Sequence, residues 1–200
     1  MKSLKRLLAT AVTLAASTLH TAGAHADSVA DAIATCAGCH GENGVPIDKT
    51  FPVIAGQNRN YILNQLHDFK TGRRKNEIMA GIVAEMSKTD MEAIATHFSK
   101  QAWPVQEAQK PSAEIESAAE TTLSLFKCDV CHHPRYQGDT VRPRLAGQNE
   151  EYLLKTMQDF RDKARGNYIG MSAVLGGLSD NDLKGIASYL ASLPAPKEHK

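Results

Sequence analysis

Cys36-Ala37-Gly38-Cys39-His40 and Cys128-Asp129-Val130-Cys131-His132 are two copies of one pentapeptide, Cys-x-x-Cys-His, and together they use every cysteine in the chain. Two thiols separated by two residues on one helical turn lie about as far apart as the two vinyl groups of a porphyrin. The adjacent histidine can then reach under the ring to the iron. The pattern therefore reads as the attachment site of a c-type haem, twice. Cys36, Cys39, Cys128 and Cys131 are the thioether donors, and His40 and His132 the proximal iron ligands. A redox Cys-x-x-Cys disulfide does not require the following histidine, and both copies have it. A zinc ribbon brings its two knuckles within about 15–20 residues; here 88 residues, 40 to 127, intervene.

The N-terminus fits that chemistry. Lys2, Lys5 and Arg6 precede an apolar stretch, Leu7 to Leu19, that is short for a membrane span, and Ala24-His25-Ala26 then matches a signal-peptidase site. Residues 1–26 are expected to be a cleaved export signal and the mature protein to be periplasmic. Removing three basic residues takes the formal charge from +1 to −2, which offers no bulk-charge argument for nucleic-acid binding.

The chain repeats itself. Cys36 falls on Cys128 at an offset of 92. Phe51-Pro52-Val53-Ile54-Ala55-Gly56-Gln57 falls on Arg142-Pro143-Arg144-Leu145-Ala146-Gly147-Gln148 at 91, as does Tyr61 through Phe69 on Tyr152 through Phe160. After one inserted residue Met79 falls on Met171, and Ser87 on Ser179. Each half is a complete haem unit. Ala-rich, apolar-periodic runs lead into both motifs at about 28–38 and 113–127. Asn58 and Asn149 read as N-caps of helices with Tyr61, Ile62, Leu66 and Phe69, or Tyr152, Leu153, Met157 and Phe160, on one face. Ser87 and Ser179 open Ser-x-x-Asp capping boxes. No alternating strand pattern occurs. The expected fold is all-α: an N-terminal domain at 27–102, a linker at 103–111 and a C-terminal domain at 112–200.

The repeat also sorts the methionines. Met86, Met91 and Met157 fall on Leu178, Leu183 and Leu66 and read as core. Only Met79 and Met171 fall on each other, in segments expected to be loops, which makes them the candidate sixth ligands. His67, His97 and His133 have no histidine counterpart, which disfavours bis-His ligation. Pro52 and Pro143 are candidates to accept a hydrogen bond from His40 and His132 Nδ1. Gln57, Gln148, Tyr61 and Tyr152 recur in both halves and have two readings: partners of haem propionates, or helix capping and interdomain packing. Between motif and glutamine the charges differ: Glu42, Asp48 and Lys49 sum to −1, while Arg135, Asp139, Arg142 and Arg144 sum to +2. Positive charge favours ferrous iron, so the C-terminal haem is expected to have the higher potential.

On the paired motifs, the Ala-Gly-Gln and Tyr-Leu-type helices and the Met79 and Met171 segments, the chain resembles the dihaem cytochrome c4 family over nearly all of the mature protein. The resemblance implies two tandem class I cytochrome c domains about a pseudo-twofold axis, with propionates close together. It implies a carrier moving electrons between a membrane-bound donor complex and a terminal oxidase. Redox proteins are then its partners, with no small-molecule substrate, and the reading admits a peripheral membrane association. His132-His133-Pro134 departs from the glycine common after the haem histidine and leaves the path of that loop open. Other readings are a dihaem enzyme, of peroxidase or sulfur-compound oxidase type, which needs an open iron, and a cytochrome subunit of a larger dehydrogenase.

Overall fold

The computed structural model describes residues 21–105 and 109–194, with side chains from Val29 onward. The expected signal, residues 1–26, lies largely outside the described residues. Nine α-helices and one short 3₁₀ turn are present, and no strand occurs among the described residues. The helices are α1 (Thr21–His40), α2 (Arg59–Lys70), α3 (Glu77–Val83), α4 (Lys88–Ser99), α5 (Ala113–Leu125), α6 (Cys128–His132), α7 (Glu150–Arg161), α8 (Ile169–Leu175) and α9 (Asp180–Ser192). None is long and apolar enough to cross a membrane.

Two apolar cores form, one per half. Ile62, Leu66 and Phe69 of α2 meet Met91, Ile94 and Phe98 of α4, while Leu153, Met157 and Phe160 of α7 meet Leu183, Ile186 and Leu190 of α9. The methionines that exchange with leucine across the repeat, Met86, Met91 and Met157, are all buried there, as flexible gap-fillers. Ser87 and Ser179 make complete capping boxes with Asp90 and Asp182, so each last helix begins with its exposed amides satisfied.

Three expectations change. Met79 and Met171 sit in the first turns of short helices, α3 and α8, not in loops. Asn58 and Asn149 occupy the N-cap positions of α2 and α7, yet neither side chain caps its helix; both are used across the molecule, as described below. Trp103, expected in the linker, is buried against Val53 and Ala55. The C-terminal motif also differs from the N-terminal one. α1 runs unbroken through its motif, whereas Lys127 turns left-handed (φ 55°) and separates α5 from α6.

The loop after each motif follows one path despite the sequence departure. The carbonyl of Gly44 accepts from the amides of Ile54 and Ala55, and that of Tyr136 accepts from Leu145 and Ala146. Gly41 (φ 78°) and His133 (φ 64°) both take positive φ. Histidine at φ 64°, ψ 162° lies in a region that glycine alone enters freely, at a cost of roughly 1–3 kcal/mol, so the second half holds by its hydrogen bonds a turn that glycine gives the first without strain.

Candidate functional site

Each Cys-x-x-Cys-His motif ends a helix and turns its first sulfur inward. Cys36 is buried and Cys128 half-buried, while Cys39 and Cys131 are exposed, and none forms a disulfide. Burial pushes the Cys36 and Cys128 thiols up, so both stay protonated at neutral pH. His40 Nδ1–H donates to the Pro52 carbonyl at 3.1 Å, and His132 Nδ1–H to the Pro143 carbonyl at 3.3 Å. The bond fixes the tautomer and leaves Nε2 with a free lone pair. Burial lowers the pKa of both imidazoles, opposed by those carbonyls, which keeps the rings in the neutral form a metal needs.

Met79 and Met171 are half-buried and pack on the edges of the two cores. The Met79 amide donates to Asn76 Oδ1 at 2.9 Å, and the Met171 amide to the Tyr168 carbonyl at 3.1 Å. Both methionines, both histidines and all four cysteines line one continuous cavity of about 1380 Å³, larger than the ~300–1,000 Å³ of an ordinary small-ligand pocket. His67, His97 and His133 do not line it.

The cavity passes through the contact between the halves, and that contact obeys the repeat. Gln148 Nε2 donates to the Val53 carbonyl at 2.9 Å and its Oε1 accepts from Val53 N at 2.8 Å; Gln57 Nε2 donates to the Arg144 carbonyl at 3.0 Å and its Oε1 accepts from Arg144 N at 2.8 Å. Adding 91 to Val53 and Gln57 gives Arg144 and Gln148, so one bond pair is the image of the other. Asn149 Nδ2 reaches the Phe51 carbonyl and Asn58 Nδ2 the Arg142 carbonyl by the same rule. So do Arg74 to Tyr152 OH (3.1 Å) and Arg165 to Tyr61 OH (3.3 Å). A contact that maps onto itself under exchange of the halves is the internal form of a twofold interface. Trp103 is wedged into it. A Cβ on Gly56 would come within 2.9 Å of Trp103 N, and one on Gly147 within 3.0 Å of Trp103 Nε1, which together with their positive φ explains the glycine of both Ala-Gly-Gln segments. Of the two readings left open for Gln57 and Gln148, both amides pack between the halves.

The sequence reasoning did not single out Arg74 and Arg165, although they match at the offset of 91. Arg165 is 6% exposed. Each guanidinium lies over a phenylalanine, Phe69 or Phe160, at 4.6 and 4.4 Å, and the hydrogen bonds of these two side chains go to amide or phenol oxygens, of Gln65, Tyr61, Tyr152 or Asn167, and to no carboxylate. The Nε groups of Arg142 and Arg144, which also line the cavity, are buried with no partner in the polypeptide. Among the cavity-lining side chains nine are Arg or Lys and two are Asp. Burial pushes the Tyr152 phenol up, but the neighbouring guanidiniums of Arg74 and Arg165 overcome this and draw it down. The cavity is therefore an apolar slot with thiols and imidazoles at its walls and unspent positive charge at its centre. A macrocycle with an apolar ring, two vinyls, an iron and two carboxylates fits each of those features.

The sequence model of the Cytochrome c family matches residues 118–194. Cytochrome c4 of Pseudomonas aeruginosa is 33% identical over 184 residues, which is 87% of this chain and 90% of that protein. The chain belongs to the cytochrome c4 family. It is a c-type cytochrome, an electron carrier with covalently bound haem c and redox proteins as partners. The crystal structure of reduced recombinant cytochrome c4 from Pseudomonas stutzeri superimposes with a TM-score of 0.72 at 31% identity, covering 84% of this cytochrome and 98% of that chain. Another relative, 29% identical over 79% of this cytochrome and 78% of its own length, is the thiosulfate dehydrogenase electron acceptor of Stutzerimonas stutzeri. The fold is thus two tandem class I cytochrome c domains.

Proposed function

We propose that this cytochrome carries two haem c groups and moves electrons between respiratory chain components in the periplasm, from a membrane-bound donor complex toward a terminal oxidase. The observation that carries the reading is the duplicated set of thiols, imidazole and thioether on one cavity that joins both halves. Bound haem supplies a one-electron change of iron valence there. The polypeptide does the rest. Cys36 and Cys39, and Cys128 and Cys131, hold the ring covalently. His40 and His132 ligate the iron through Nε2 while Pro52 and Pro143 orient them. Met79 and Met171 fill the sixth positions, which raises the potential relative to a second histidine and denies the iron to oxygen and peroxide. Arg74, Arg165 and the unpartnered Arg142 and Arg144 Nε donors meet the propionates. The exported location rests on the basic-apolar N-terminus and its Ala-His-Ala site.

The optical spectrum of the reduced holoprotein with and without carbon monoxide tests this. No change is expected in the wild type, and in Met79→Ala or Met171→Ala half of the haem is expected to take up the gas. A wild-type haem that binds carbon monoxide refutes the closed-iron carrier. A second reading, electron acceptor for a dehydrogenase of sulfur compounds, is favoured by the similarity to the Stutzerimonas stutzeri acceptor. Reduction of the oxidised holoprotein by a purified thiosulfate dehydrogenase distinguishes it.

A further inference from the structure

The internal repeat lets one half serve as a control for the other, and the two helices that carry the candidate methionines are not held alike. Their core contacts match: Val83 and Met86 are buried at the exit of α3, and Leu175 and Leu178, their counterparts at an offset of 92, at the exit of α8. The polar ties differ. α3 is tied at both ends. At its start Asn76 Oδ1 accepts from the Met79 amide at 2.9 Å. At its exit Lys70 Nζ, from the last turn of α2, donates to the carbonyl of Ala84, at 2.9 Å, and to that of Met86. Carbonyls at a helix exit lack the amide of a next turn, and an ammonium satisfies them where the helix dipole also favours a cation.

α8 has neither tie. Its N-cap residue is Tyr168, whose side chain caps nothing, and Asn167 just before it donates away from the helix, to Gln65 and Asp68 of the other half. Lys70 falls on Arg161 at an offset of 91, and Arg161 turns to Asp162 and Asp180 instead. Among the described residues no side chain donates to the carbonyl of Gly176 or Leu178, which fall on Ala84 and Met86. The exit itself is looser, because Gly176-Gly177 stands where the first half has Ala84-Glu85. Neither glycine takes positive φ, and a Cβ on Gly177 would meet nothing within 4 Å. No turn and no close neighbour requires that glycine, so what it adds is chain freedom.

We propose that Lys70 is a positioning residue that keeps Met79 in the sixth position of the N-terminal haem, and that Met171, lacking such a clamp, is the thioether an uncharged nitrogen donor displaces first. The proposal rests on the ligation of both irons by methionine given above. Displacement exchanges one neutral donor for another, sulfur for nitrogen, and moves no electron. It belongs to the oxidised protein, because a soft thioether is a poorer ligand for ferric than for ferrous iron, so the reduced protein stays closed to carbon monoxide. An added ligand binds only the molecules whose methionine segment has swung away. A clamp that lowers this fraction raises the ligand concentration needed by the same factor.

Titration of the ferric holoprotein with imidazole tests it, read by loss of the weak long-wavelength charge-transfer band that a thioether–ferric bond gives. The wild type should lose the band in two equal steps, the lower at about a tenth of the imidazole needed for the upper. Met171→Ala should start with half the band and keep only the upper step. Lys70→Met should bring the upper step down about tenfold, onto the lower, and Lys70→Arg, which keeps donors at that place, should restore most of the difference. Gly177→Ala should raise the lower step about threefold by removing freedom from the open segment. A single step in the wild type, a surviving lower step in Met171→Ala or an upper step unmoved by Lys70→Met overturns the proposal. So does a Lys70→Met protein in which both steps fall equally, since that is general destabilisation. A ferric wild type without the band refutes methionine ligation and the closed-iron carrier with it, whereas the band present with its steps in the opposite order refutes only the role of Lys70.

Discussion

Replacing Gln148 by alanine should damage this protein more than any exposed polar substitution, although the residue touches neither a cysteine nor an iron ligand. Its amide closes a two-bond ring with the backbone of Val53, at 2.8 and 2.9 Å, and its oxygen also accepts from Asn149 N at 2.8 Å. Val53 is 1% exposed and Gln148 3% exposed. Truncation therefore strands the buried carbonyl and amide of Val53 and the buried amide of Asn149 where water does not readily replace the lost partner. Each stranded group costs about 1–3 kcal/mol, so Gln148→Ala should cost about 2–4 kcal/mol after relaxation. Gln57→Ala breaks the mirror-image ring, but the Arg144 backbone lies in a half-buried segment, so about 1–2 kcal/mol is expected. The double variant should cost less than the sum, because both rings depend on the same docking of the halves. Guanidinium unfolding of the holoprotein, followed by Soret absorbance and far-ultraviolet circular dichroism, measures this. In the wild type the two probes should coincide; in the double variant they should separate as the halves unfold independently. Asn181→Ala, on the exposed face of α9, should lie within about 0.5 kcal/mol of wild type. A Gln148→Ala value that also lies there would refute the assignment of the glutamine ring as the clasp.

Arg74→Met and Arg165→Met should each lower the reduction potential of a haem, because each removes positive charge from a buried site; a spectroelectrochemical titration showing unchanged potentials would remove the arginines from the propionate site. The Asp139 carboxyl is held well below the usual carboxylate range by the backbone amides of Val141 and Arg142 and by the Arg142 and His133 side chains. A depressed folded pKa stabilises above the unfolded value and is lost as pH falls toward the folded one. Asp139→Asn should thus destabilise at pH 7, and the gap between the thermal melts of the two proteins should begin to narrow below about pH 4 and keep closing as the pH falls further. The +2 loop of the second half against the −1 loop of the first predicts that the C-terminal haem is reduced first, which domain-resolved nuclear magnetic resonance during a redox titration would check.

Much of the fold was legible because its signals are local. The capping boxes at Ser87 and Ser179 are four-residue patterns that depend on nothing distant. The exchange of Met86, Met91 and Met157 with leucine needed only the repeat. The first turns of α3 and α8 were missed because seven-residue helices with a glycine inside, Gly81 or Gly170, have too little periodicity to be read. Asn58 and Asn149 looked like caps because an asparagine oxygen usually accepts from the first amides of its own helix; here each side chain is oriented so that Nδ2 donates to a carbonyl of the other half. Arg74 and Arg165 carried no local pattern at all, and only their match at 91 residues marks them.

By itself the sequence determined which thiols and imidazoles are grouped, that the set occurs twice, and that helices frame it. These follow from spacing within a turn and from a duplicated pattern, and neither depends on how the halves meet. Which polar atoms hold the halves together was decided only in three dimensions. Gln148 finds Val53, Arg165 finds Tyr61 and Trp103 finds Gly56 and Gly147 because docking two like surfaces buries backbone groups that must be paired, and the partner that can reach them lies on the other domain.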